Sequence, residues 1–178
     1  MIGRRVVVTG ANVGIGFETA RALAAQGAHV TLACRDLSKA ANAVAAIVRD
    51  VQPHDSQVAG RVQAAELELS DQQSVHRFAD QLQSLNQPVH VLVNNAGAIM
   101  TEQTTVEGVD RTMAVNHLGP SLLTMRLMPL LSQGSTPGRS ARVVNVSSRL
   151  EKNGAITEWC AHILPARTST PPTCMLLL

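Results

Sequence analysis

The chain has 178 residues, enough for one domain and too few for two ordinary ones. Apolar residues make up 45% and charged residues 16%, which excludes disorder as the global state. The net charge is only +2, and the aromatic complement is two Phe, one Trp and no Tyr, so neither charge nor base stacking supports a nucleic-acid role.

Cys34, Cys160 and Cys174 have no metal-ligand spacing and no even-numbered disulfide pattern, so free thiols in a reducing compartment are expected. No apolar run approaches a membrane span, and the strand-like start leaves no room for a signal peptide. A cytoplasmic chain is the expectation.

Strand and helix signals alternate. The β-branched run 5–9, closed by Gly10, predicts a buried parallel strand. Residues 14–26 predict a helix, with Ile15, Ala20, Leu23 and Ala24 at helical spacing and Gly27 as its stop. Residues 29–34 predict a second strand. Ser38 can cap the next helix, which carries Ala41, Val44, Ala45, Val48 and Val51 until Pro53. A weaker third strand is expected near 62–67. Ser70 to Gln73 has the spacing of a capping box, followed by the stripe Val75, Phe78, Ala79, Leu82 and Leu85. Residues 89–93 predict a fourth strand. A long helix is expected over 110–131, bent near Asn116 or Pro120, and a fifth strand over 142–146. Crossover helices between strands imply an α/β fold, a parallel sheet of about five strands covered on both faces. The expected division is one α/β domain over 1–152 and a tail over 153–178, where neither strand nor helix period persists.

The run Thr9-Gly10-Ala11-Asn12-Val13-Gly14-Ile15-Gly16 stands where the first strand turns into the first helix. Gly10 suits a tight turn, Gly14 lets backbone approach a pyrophosphate, and Gly16 permits close packing of helix on strand. A glycine-rich turn alone is often only a turn. Here the strand before, the helix after and the next strand at the right distance favour a phosphate site. Arg35 lies at the end of the second strand, where an acidic residue marks NAD and an arginine suits the 2′-phosphate of NADP. A plain surface arginine at a strand end is the rival reading. Asn94-Asn95-Ala96-Gly97 follows the fourth strand and keeps the backbone there bare enough to lie against a ligand.

These motifs, with Val115-Asn116-His117-Leu118-Gly119 and Val144-Asn145-Val146-Ser147-Ser148, resemble the short-chain dehydrogenase/reductase family, most closely its retinol-dehydrogenase and WW-domain-oxidoreductase branch. The resemblance covers about residues 4–150. It implies a Rossmann-like doubly wound sheet of order 3-2-1-4-5 and an NAD(P)-binding domain over 1–152, with NADP favoured over NAD. The full-length relatives would be oxidoreductases moving hydride between NADP(H) and a small carbonyl, alcohol or lipid substrate. Gly10, Asn12, Gly14, Ile15 and Gly16 match the phosphate-binding turn, and Arg35 matches the NADP-selecting position. Glu68-Leu69 stands where the family carries an Asp-Leu pair at the adenine. Asn95, Ala96 and Gly97 match the loop beside the adenine ribose. Asn116 matches the Asn that organises the proton relay, and Ser148 the catalytic Ser. The resemblance also implies dimer contacts through helix 110–131.

The family's proton donor is a Tyr with a Lys four residues later. This chain has no Tyr, and its lysines are Lys39 and Lys152, the latter too near Ser148 for the role. The pair normally falls about 13 to 25 residues beyond the Ser, here 161–173, and His162 is the one proton-exchanging side chain in that stretch. The sixth and seventh strands of the family fold have no counterpart, so the expectation is a C-terminally truncated, catalytically incomplete form with an open edge at the fifth strand. The rival reading is a non-enzymatic dinucleotide-binding or interaction module that pairs with an intact relative.

Overall fold

The structure, a computed structural model, describes residues 1–52, 54–99, 105–106 and 108–148. The expected tail over 153–178, with His162, and Lys152 lie outside the described residues. The chain divides into two units, Met1–Asn145 and Val146–Leu178.

In the first unit, apolar β-branched runs give β1 (Arg5–Thr9), β2 (His29–Cys34), β3 (Val62–Glu66) and β4 (Val91–Asn94). Between them stand α1 (Gly14–Ala25), α2 (Leu37–Val51) and α3 (Gln72–Ser84). Next comes a small antiparallel ribbon, β5 (Thr105–Val106) with β6 (Val109–Asp110), which the sequence reading did not include. Two residues per strand are too few for any alternation to show. One helical rod follows: α4 (Arg111–Met113), a π turn over Ala114–Leu118 and α5 (Gly119–Gln133). β7 (Arg142–Asn145) ends the unit.

The main sheet has the order β3-β2-β1-β4-β7, all parallel. This is the expected doubly wound, Rossmann-like arrangement, with β7 as its fifth strand. Both faces are covered, as a parallel sheet requires. Val6 and Val8 point to one side, with Ala20, Ala24, Ala43 and Ile47 of α1 and α2. Val7 and Leu92 belong to the other, with Val75 and Phe78 of α3 and Leu123, Leu127 and Leu130 of α5.

Two expected caps are corrected. The cap of α2 is Asp36, whose carboxylate accepts from the Lys39 N–H at 3.0 Å, and Ser38 lies inside the helix. The cap of α3 is Asp71, which accepts from the Gln73 N–H at 2.8 Å, while the Ser70 hydroxyl donates to Glu68 Oε1 at 2.8 Å. In both places a carboxylate stands beside the candidate hydroxyl, and a negative charge suits a helix N-terminus better. β7 is exposed along its length, and among the described residues no strand pairs with its outer edge. No helix among the described residues is long and apolar enough to cross a membrane.

Candidate functional site

β1 pairs with β2 on one side and β4 on the other, so the connections leave it in opposite directions. A crevice opens at the carboxyl ends of the strands at such a switch point. Here it is a cleft of about 610 Å³ whose lining includes Gly10, Asn12, Ile15, Arg35, Leu69 and Ala96.

The glycine turn forms its floor. Gly10 has φ +62°, and a β-carbon there would meet the Ala96 Cα at 2.9 Å, so turn geometry and the neighbouring loop both demand glycine. Gly14 has φ +60°, but a β-carbon on it would meet nothing within 4 Å. The structure thus leaves the space above Gly14 open.

α1 begins at Gly14 with Val13 at its N-cap and no side-chain cap, whereas α2, α3 and α4 are capped by Asp36, Asp71 and Asp110. The first N–H groups of α1 therefore keep their capacity for an external acceptor. Behind the turn, Cys34 is buried. Burial pushes its thiol up, more than the Ala11 and Asn12 N–H groups near its sulfur bring it down.

A clamp joins this turn to the loop after β4. The buried Thr9 hydroxyl accepts from the N–H groups of Asn95 and Ala96, each at 3.0 Å. The Asn95 side-chain amide donates to the carbonyls of Thr9, at 2.9 Å, and Gly10, at 3.3 Å. Asn95, Ala96 and Gly97 all line the cleft, yet the Asn95 amide is spent on backbone. Thr9 was missed as a functional residue. Its signal was a hydroxyl closing an otherwise apolar strand, beside the first glycine.

Arg35 is exposed at the rim and has no ion pair among the described residues. The neighbouring charges pair with each other, Lys39 Nζ lying 3.6 Å from Asp36 Oδ2. Hydrogen bonding to the Lys39 N–H holds the Asp36 carboxyl below its usual range. Glu68 and Leu69 close the far wall. The Glu68 Oε1 accepts from both the N–H and the hydroxyl of Ser70, at 3.0 and 2.8 Å. Its charge is thereby turned into the loop leading to α3.

Asn116 lies in the π turn. Its Oδ1 accepts from the Ala98 N–H at 2.8 Å, and its Nδ2 donates to the Ala98 carbonyl at 2.9 Å. This reciprocal pair ties the helical rod to the loop beside the cleft. Single π turns inside helices occur frequently at functional sites. Ala98 was not foreseen, because a backbone partner leaves no mark in the side-chain pattern. Ser148 belongs to the second unit, three residues past Asn145, and is exposed.

Residues 4–160 match the model of the short chain dehydrogenase family. The chain is 43% identical over 157 residues to retinol dehydrogenase 12 of Bos taurus, covering 88% of this chain and 46% of that protein. It is 43% identical over 147 residues to the WW domain-containing oxidoreductase of Homo sapiens, covering 82% of this chain and 33% of that one. The chain thus spans less than half the length of these relatives. Among solved structures, the RhlG/NADP active-site complex of Pseudomonas aeruginosa superposes with a TM-score of 0.70 at 29% identity, covering 88% of this chain and 59% of that one. A metagenomic short-chain oxidoreductase in complex with NADP gives 0.69, also at 29% identity, covering 86% and 66%. With its switch-point cleft, glycine turn and family-model match over most of its length, this chain belongs to the short chain dehydrogenase family.

Proposed function

We propose that this chain is the NADP-binding part of a short-chain oxidoreductase. The observation that carries the reading is the uncapped start of α1, whose Ile15 and Gly16 line the floor of a cleft with a free arginine on its rim. A dinucleotide fits these groups. The N–H groups of Gly14, Ile15 and Gly16 suit a pyrophosphate, because free helix N-terminal donors attract anions. Asn12 lies beside them. Arg35 suits a 2′-phosphate, through a planar fork of permanently charged donors. Leu69 offers an apolar wall and Ala96 and Gly97 a close-lying one. The NADP complexes of the two structural neighbours support the same choice of cofactor. The bound dinucleotide supplies hydride chemistry. The chain's own residues bind and orient it: Thr9 and Asn95 hold the glycine turn, and Asn116 holds the loop at Ala98. In the complete reaction, on a carbonyl or alcohol, Ser148 would hydrogen-bond the substrate oxygen.

A second reading is favoured by one fact, the absence of any Tyr in the 178 residues. Without that phenol the chain serves as a dinucleotide-binding module, alone or paired with an intact relative through the 111–133 rod. Calorimetric titration of the purified chain with NADP(H) and NAD(H) tests the binding common to both readings. NADP(H) is expected to bind at least about tenfold tighter, since a charged hydrogen bond contributes about 1.5–3 kcal/mol. Arg35→Ala is expected to erase most of that difference. Equal affinities in the parent would overturn the assignment to Arg35.

A further inference from the structure

At the opposite end of the sheet, where the strands begin, the structure gathers arginines that no carboxylate answers. Arg21, Lys39, Arg49, Arg61, Arg77 and Arg126 each pair with an acid. Among the described residues, Arg4, Arg5, Arg139 and Arg142 have no ion pair, and all four lie at this end.

Their closeness follows from the backbone. Arg5 stands in register with His29 on β2, and the Arg5 N–H donates to the His90 Nδ1 at 2.9 Å. The Arg142 N–H donates to the His90 carbonyl at 3.0 Å, which brings the start of β7 beside the same histidine. Arg139 is held by a turn in which Thr136 and Arg139 exchange backbone hydrogen bonds of 3.2 and 2.9 Å. The Ser135 hydroxyl fixes that turn to the strand by accepting from the Ala141 N–H at 2.9 Å. Arg4 precedes Arg5 and so faces the other side of the sheet, the side of Arg142, since pairing of Val91 with Arg142 puts Arg142 out of step with His90.

Arg4 is the innermost of the four. Its residue is only 9% exposed, yet none of its nitrogens is among the buried atoms that lack a partner, so a covered stem carries a charged tip that an anion can reach. Two like charges nearby favour a counter-charge at that tip. Burial, then Arg139 and Arg142, hold the Arg4 pKa below the usual arginine value.

We propose that Arg4, Arg139 and Arg142, flanked by Arg5, form a second anion site that takes a phosphate group, at the end of the sheet remote from the dinucleotide cleft. Phosphate fits better than carboxylate or chloride. It carries up to two charges against several permanent cations, and its tetrahedral oxygens accept forks from several directions at once. A carboxylate offers one charge and one edge, and chloride offers no geometry. The site draws its residues from the N-terminal segment, the turn after α5 and the start of β7. An anion there therefore bridges three segments of the chain.

The test is calorimetric and thermal titration of the full chain with inorganic phosphate against chloride at matched ionic strength. It is run in an Arg35→Ala background so that the cleft contributes least. Phosphate is expected to bind and to raise the unfolding temperature beyond chloride. Arg139→Gln with Arg142→Gln, both at exposed positions, is expected to weaken binding at least about tenfold. Arg4→Gln is expected to weaken the phosphate response without lowering stability in phosphate-free buffer. If that variant does not fold, the exposed pair carries the test. A second arm uses phosphatidylcholine vesicles with and without phosphatidylglycerol. Binding to the anionic vesicles alone, lost in the double variant, would assign the phosphate to a lipid headgroup, whereas a response to inorganic phosphate assigns it to a soluble ligand. Absence of response in both arms, or a phosphate affinity that is the same with and without the double substitution, overturns the proposal; the start of α1 answers phosphate alike in both chains.

Discussion

The Asn95 side-chain amide occupies the space that a β-carbon on Gly16 would need; the two would overlap well inside van der Waals contact. That same amide donates to the Thr9 and Gly10 carbonyls. Gly16→Ala is therefore expected to displace Asn95, destabilising the chain by about 1–3 kcal/mol through lost hydrogen bonds and to weaken dinucleotide binding as well. Gly14→Val should behave differently. Its strain is local, from φ +60°, since a β-carbon there meets nothing within 4 Å. Its larger effect should fall on the ligand, whose pyrophosphate needs that space. Urea unfolding and dinucleotide titration of both variants separate the two effects. Unchanged affinity in folded Gly14→Val would place the phosphates elsewhere.

Asn116→Ala is expected to leave the N–H and carbonyl of Ala98 without their two partners, at a cost of about 1–3 kcal/mol. Hydrogen exchange at the Ala98 amide is the direct readout. It should be protected in the parent and exchange faster in the variant, with the β1 amides unaffected. Equal protection in both would mean that the rod and the loop are held by something else.

The two histidines near the strand starts make stability depend on pH. Burial and then Arg5 and Arg61 lower the His29 pKa; burial and then Arg4, Arg5 and Arg139 lower that of His90. Both fall below the ordinary value of about 6.5, so between the folded and unfolded values the unfolded chain binds more protons. Stability should be fully present above about pH 6.5 and should decline as pH falls through the folded values. Asp36 and Asp55, whose carboxyls are held below the usual range, titrate at lower pH and leave this window alone. Urea midpoints at pH 7.5 and 5.5 give the slope. His90→Gln keeps an acceptor for the Arg5 N–H and should flatten it; a slope of opposite sign in the parent would contradict this account.

The purified chain is expected to show no turnover above about a thousandth of an intact relative, because general acid–base catalysis contributes typically 10²–10⁴-fold and no Tyr is present. Ser148→Ala should then change almost nothing, since effects within an incomplete catalytic unit do not add. A substrate panel assayed with NADPH checks both statements. Robust turnover lost in Ser148→Ala would mean that another group gives the proton, and His162 would be the first residue to substitute.

The glycine turn and the strand order were legible because their residues are contiguous and their periods strong. Val6, Val7 and Val8 could only be a strand covered on both faces. The caps were misplaced by one or two residues because Ser38 and Ser70 each stand near an aspartate, and pattern alone does not rank two adjacent acceptors. The Thr9 hydroxyl and the Ala98 backbone act across 86 and 18 residues of sequence, so their partners become visible only when the strands are set side by side. The arginine cluster was hidden for the same reason. Arg4, Arg139 and Arg142 disperse into a net charge of +2 until the sheet brings their segments to one end.

The π turn has a consequence for which changes of length the gene can tolerate. The Gly119 N–H reaches the carbonyl of Ala114, five residues back, so this stretch holds one residue more than an α turn would. Each residue removed from a regular helix rotates everything after it by about 100°. A π turn is the exception, because losing its extra residue closes it to an α turn and leaves the helix beyond it in phase. An in-frame codon deletion within 114–118 that spares Asn116 would therefore let the rod close into a regular helix with Leu123, Leu127 and Leu130 still on the sheet. The same deletion within α5, between Gly119 and Leu123, has no spare residue to draw on and would swing those leucines away. Between Ala114 and Leu118 the rod thus carries a residue that its packing face does not require.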